Sequence, residues 1–223
     1  MLKAIFYKEF IKSRWYYLAA SLVIVCFSAY AGLYLNRLAE LAGMQNLWEY
    51  ILAKNDSLVT IIKYVPLIAG IGGAVSQFAP EMYRKCLKLT LHLPYGHIKL
   101  IGAMLLFGVV ALVVPSLLAI LVLQLSIINI LPYEIRIAIL QATLPWFMAG
   151  IAGYLLASWV VLQPVWKKRI WQMVLSAFII KIYFITDTPI AYVPSLWWIV
   201  ITTPALCLLS VLSLNDFKEG RQD

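Results

Sequence analysis

The side chains best placed to do chemistry lie between Pro80 and His97, in the stretch PEMYRKCLKLTLHLPYGH. Read as a helix, Arg84, Lys88 and His92 recur every four residues on one face, and Glu81 stands four before Lys85 as a favourable ion pair. Tyr83, Leu87 and Leu91 form an adjoining apolar ridge, and Pro94 and Gly96 stop the helix. Such a helix has two uses. It can seat its ridge in a groove of a soluble partner, or lie on anionic lipid head groups as a connecting helix; spacing alone leaves both open.

Other reactive residue types are sparse. His92 and His97 stand five apart with no cysteine cluster beside them, so neither zinc nor haem is expected and no metal site is assigned. Cys26, Cys86 and Cys207 form no CxxC pair, and two of them lie in apolar runs as small hydrophobes. There is no GxxxxGK[ST] loop, so any ATP this chain uses is bound by another polypeptide. No paired carboxylates, Ser/His set or metal ligands converge within the apolar runs; the chain is expected to be no enzyme by itself and to carry no cofactor.

Two lysines sit within apolar runs. Lys181 lies about eleven residues into a short run, where a charge at helix-centre depth costs about 2.5–3.5 kcal/mol on insertion scales. It either faces a translocation path, meeting an anionic group on cargo, or reaches outward to the interface or to Asp187. Lys63, near the outer end of its run, has the same two readings, and snorkelling explains it readily.

The elements that must position these residues follow from composition. Of 223 residues, 63% are hydrophobic and 13% charged, and the mean hydropathy is +0.88. A soluble domain has about 45–50% apolar and about 25% charged residues, so lipid is the solvent for much of this surface. The apolar runs are continuous rather than alternating, which predicts helices and not barrel strands. The expected fold is all-α: a polytopic membrane protein of six transmembrane helices with both termini cytoplasmic.

In detail, residues 1–14 form an N-terminal interfacial amphipathic helix, with Lys3, Lys8, Lys12 and Arg14 among Leu2, Ile5, Phe6 and Phe10. Residues 15–214 carry the six spans, near 15–35, 58–78, 100–131, 137–162, 170–185 and 197–214, and residues 215–223 are a cytoplasmic tail. Ala29-Tyr30-Ala31 mimics a signal-peptide cleavage site, but the apolar stretch is too long for one. Residues 36–57 are a mixed connection, Pro66 and the glycines at 70, 72 and 73 allow a kink and close helix contact, and the 32-residue run Leu100–Leu131, with Pro115 near its centre, reads as a single tilted or kinked helix. Ala149, Gly153 and Ala157 offer a small-residue packing face, and residues 186–195, with Pro189 and Pro194, form a broken or re-entrant outer segment.

Charge sets the orientation. Of 18 Lys and Arg, thirteen fall on the cytoplasmic side of this arrangement and three outside, in keeping with the positive-inside rule. The net charge of +8 is thereby explained by topology, and no basic stripe with interleaved aromatics points to nucleic acid.

With these residues in view, the chain resembles the permeases of type-2 ATP-binding-cassette exporters. The resemblance rests on a basic N-terminal helix, six spans, and a Glu-initiated, Leu-rich segment closing in Leu93-Pro94 between spans two and three. Glu81, Leu87, Leu91, Leu93, Pro94 and Lys99 fit that pattern; Ile98 stands where a glycine is common and Arg84-Lys85 where Gly-Thr is frequent. The resemblance implies that residues 80–97, through Glu81, Arg84, Lys85, Leu87, Lys88, Leu91 and Pro94, are the coupling segment that docks on a separate ATPase subunit. It further implies a second permease half, as a homo- or heterodimer, a multi-pass location in a bacterial cytoplasmic membrane, and export by alternating access. The competing expectation is a non-transporting membrane anchor or assembly factor that recruits a soluble partner through the same helix.

Overall fold

The computed structural model describes residues 2–53, 60–83, 97–185, 192 and 194–218. Among these it is all-helical: α1 (Leu2–Ala53), α2 (Val65–Tyr83), α3 (His97–Ile127), α4 (Tyr133–Val161), α5 (Trp166–Ile182), α6 (Leu196–Ala205) and α7 (Cys207–Lys218), with a 3-10 turn at Thr60–Ile62 ahead of α2. Four stretches are long and apolar enough to cross a membrane: Lys3–Leu41 of α1, Ile98–Ile127 of α3, Tyr133–Val161 of α4, and Leu196–Ser213, in which α6 and α7 join at Leu206. The remaining two, α2 with 19 residues and α5 with 17, are shorter.

α1 crosses two boundaries drawn from the sequence. Residues 2–14 run without interruption into the apolar stretch, and the expected connection at 36–57 stays helical through Ala53. The reason is local: Leu, Ala, Glu, Gln and Met dominate residues 38–53, with one glycine and no proline, so polarity rises there but helix propensity does not fall. α2, expected from residue 58, begins at Val65. Pro66 therefore sits in its first turn, where a missing N–H interrupts no helical hydrogen bond. α3 passes through Pro115 as one helix, and beside it Ser116 Oγ donates to Leu112 O at 2.7 Å. The last helix extends through Lys218 into the expected tail.

Side-chain pairings fix the helix directions. Lys12 meets Glu81 and Tyr16 Oη donates to Ala69 O at 2.9 Å, so α1 and α2 run antiparallel. Phe6 stacks edge-on against Phe107, with ring centroids 5.7 Å apart, and Asn36 Nδ2 donates to Ser126 O at 2.9 Å, so α1 and α3 run parallel. Gln124 Nε2 reaches Arg136 O across the tight α3–α4 turn at 3.3 Å. Gln172 with Ser213, and Tyr183 with Thr203, set α5 antiparallel to the α6–α7 pair.

α4 is the central helix: 72% of its apolar window is buried, against 22–33% for the other three stretches. α2 lies closest to it. A Cβ on Gly70 would collide with the Gly150 carbonyl oxygen, and one on Gly150 would stand 2.7 Å from Pro66 O, so glycine at both positions lets the backbones touch. The small-residue face divides between neighbours: Gly153 abuts Leu67 of α2, whereas Ala149 is buried with Tyr183, Tyr192 and Ile199. Four helices meet at Gln77, whose Nε2 donates to Met104 O at 2.9 Å and whose Oε1 accepts from Tyr154 at 2.8 Å and Tyr17 at 3.2 Å. In an apolar surround each of these groups needs such a partner. The outer surface is covered with exposed Leu, Val, Ile and Phe side chains, as lipid contact requires.

Candidate functional site

At the end of α2, the first residue of the Leu-rich segment is built into an ion-pair cluster. Lys8 and Lys12 stand one turn apart on α1 with Glu9 beside them, and Glu81 occupies the last turn of α2. Lys8 Nζ lies 2.8 Å and Lys12 Nζ 2.9 Å from Glu81 Oε1, so one carboxylate oxygen receives both ammonium groups. Lys12 Nζ also approaches Glu9 Oε2 to 2.8 Å. That approach is off the direction of a hydrogen bond, and neither Glu9 oxygen receives one from a described residue.

Burial makes the cluster consequential. Glu9 is 0% and Glu81 3% exposed, and an ionised carboxylate out of water is unfavourable unless paired. Burial acts to raise the Glu81 pKa, but hydrogen bonds and charge from Lys8 and Lys12 outweigh it and hold the carboxyl below its ordinary value. Two carboxylates and two ammonium groups balance, and together they fasten the end of α2 to the first three turns of α1. Ser13 Oγ, donating to Glu9 O at 2.7 Å, completes the buried polar set.

The sequence pointed to Glu81 and paired it with Lys85, which lies outside the described residues; among the described residues Glu81 is held by two lysines of α1, one of them 69 residues away. Arg84, Lys85, Leu87, Lys88, Leu91 and Pro94 lie outside the described residues, as does His92. Glu9, Lys8 and Lys12 were missed as site residues, although a glutamate flanked at −1 and +3 by lysines on an otherwise apolar helix was a readable signal.

Lys63 and Lys181 belong to the other end of the helices. Lys63 is partly buried, with its ammonium 5.4 Å from the Tyr64 ring centroid and 5.9 Å from that of Phe184, and these two rings stack on each other at 5.2 Å. That geometry is a cation–π clamp. Lys181 is exposed in the last turn of α5, among exposed Phe178 and Ile182. Neither lysine is brought near Glu81, and Asp187 lies outside the described residues. Among the described residues no group of three His, Cys, Asp or Glu could hold a metal ion.

A second polar set closes the Glu81 end of the bundle. The Arg169 guanidinium donates to Gln163 O at 2.7 Å and Val161 O at 3.3 Å, satisfying carbonyls at the C-terminus of α4 where a cation also suits the helix dipole. Gln163 Oε1 accepts from Ser213 at 2.8 Å and Gln172 at 3.2 Å, and Ser158 and Ser210 share a hydrogen bond of 3.0 Å. α4, α5 and α7 are thus joined beside the joint of α1 and α2. Comparison with family models, with characterised proteins and with solved structures found no match.

Proposed function

We propose that this chain is the membrane-spanning permease subunit of an ATP-binding-cassette exporter, crossing a bacterial cytoplasmic membrane six times with both ends inside. In this reading it pairs with a second permease half, and a separate ATPase subunit docks on residues 80–97 and drives alternating access. Support for six passes comes from the alternating helix directions and from exposed aromatics at both ends: Trp15, Trp166 and Trp171 at one, Tyr133, Trp197 and Trp198 at the other. α2 and α5, slightly shorter than the hydrocarbon layer, then span by local thinning of the bilayer and by flanking residues that reach the interface.

The observation that carries the proposal is the attachment of Glu81. A segment that receives force from a soluble motor must pass it to the spans, and Glu81 joins that segment to α1 and α2 at once through Lys8 and Lys12. Co-purification tests it: the chain should bring down a P-loop ATPase whose ATP turnover depends on it. Leu87→Asp combined with Arg84→Glu should abolish that association while leaving membrane insertion intact. A functional preparation free of any nucleotide-binding subunit favours the membrane-anchor reading instead, and association unchanged by the double substitution overturns the docking role of residues 80–97.

A further inference from the structure

The N-terminal stretch of α1 has two unlike faces. Lys8, Glu9 and Lys12 face α2, while Lys3, Phe6, Tyr7 and Phe10, spaced three and four apart, share the opposite side. With Phe107 of α3 these four line an open groove of about 490 Å³. Its walls are aromatic, and Tyr7 and Phe10 are 67% and 53% exposed. Lys3 supplies its cation: the lysine is exposed, and among the described residues no carboxylate pairs with it, whereas Glu9 and Glu81 are taken by Lys8 and Lys12.

We propose that this groove holds one acyl chain of an anionic phospholipid, with the lipid phosphate on Lys3. An open apolar groove with a cation among its lining residues suits an acyl chain that carries a phosphate, and basic pockets between membrane helices on the positive side take such head groups. Two further features raise the local potential. α1 and α3 run parallel and begin at Leu2 and His97, so the positive ends of two helix dipoles lie on the same side. Lys99, in the first turn of α3, is exposed there too. The proposal needs only that the chain resides in a bilayer and does not rest on the exporter reading.

Native mass spectrometry of the full chain released from nanodiscs of equal phosphatidylglycerol and phosphatidylcholine tests it, because lipid retention and chain number are read together. Phosphatidylglycerol should be retained in preference, and Lys3→Gln should weaken that retention about fivefold, the effect of one cation near an anionic surface, with phosphatidylcholine unchanged. Lys167→Gln, which removes an exposed charge elsewhere on the same side, should have no effect, and Phe10→Asp should release both lipids. Equal retention of the two lipids by the unsubstituted chain, or equal effects of Lys3→Gln and Lys167→Gln, would mean diffuse surface charge and overturn the site. A Lys3→Gln variant that instead falls from two chains to one with lipid unchanged would assign the groove to a second copy and overturn it as well.

Discussion

Glu81 carries more of the molecule's behaviour than its place at the end of a helix suggests. Breaking a buried pair by removing one partner costs about 3–5 kcal/mol, but Lys8 and Lys12 keep 43% and 21% of their side chains exposed, so Glu81→Gln should lower stability by about 1–3 kcal/mol. Because the carboxyl titrates below the 4.5 of an unperturbed glutamate, the folded protein keeps this charge to lower pH than the unfolded chain. Its stabilisation is therefore complete above that value and disappears as pH falls through the folded one. The unfolding temperature of the unsubstituted protein minus that of Glu81→Gln should be flat across neutral pH and shrink toward zero below about pH 4.5. A difference already absent at neutral pH would remove the cluster from any account of stability. Sequence pattern marked Glu81 as the start of a special segment, yet its partners were hidden, since nothing in local spacing links residue 81 to residues 8 and 12.

At the level of helices, the closest contact is the one between α2 and α4, and glycine decides it. Gly70→Ala places a methyl group against backbone, the Gly150 carbonyl, so the helices must separate at a cost of about 1–3 kcal/mol. Gly102, in α3, is open: a methyl group added there would meet no atom within 4 Å, and Gly102→Ala should be neutral or stabilising by up to about 1 kcal/mol. Thermal unfolding in detergent compares the two; equal gains would show that helix propensity, not backbone contact, governs both. The small-residue stripe Ala149, Gly153 and Ala157 marked α4 as a packing helix, which its burial bears out. Gly150 makes the tighter approach and falls outside that four-residue spacing. The length of α1 was also hidden: loss of apolarity suggests that a helix ends, but in residues 38–53 polarity and helix propensity are separate properties.

For the whole molecule, the distribution of Lys and Arg makes a directional prediction. In intact cells carrying a variant with Cys26, Cys86 and Cys207 replaced by serine, a membrane-impermeant maleimide should label Tyr133→Cys. Lys3→Cys and Lys167→Cys should react only after permeabilisation. The reverse pattern would invert the orientation and place residues 80–97 where no cytoplasmic motor can reach them. The all-helical character of the described residues, and the presence of helices long and apolar enough to cross a membrane, were legible from composition and run length alone, because apolar area without polar cover admits few other solutions.

α1 is 52 residues long, about 78 Å at 1.5 Å per residue, while the hydrocarbon layer is about 30 Å thick. Placed across a bilayer, such a rod would project into water on at least one side, and tipping it by about 5° would sweep one end through about 7 Å relative to the other. In the proposed exporter, with its base held by Lys8 and Lys12, such an arm would read out a small displacement on one side of the bilayer, magnified, on the other.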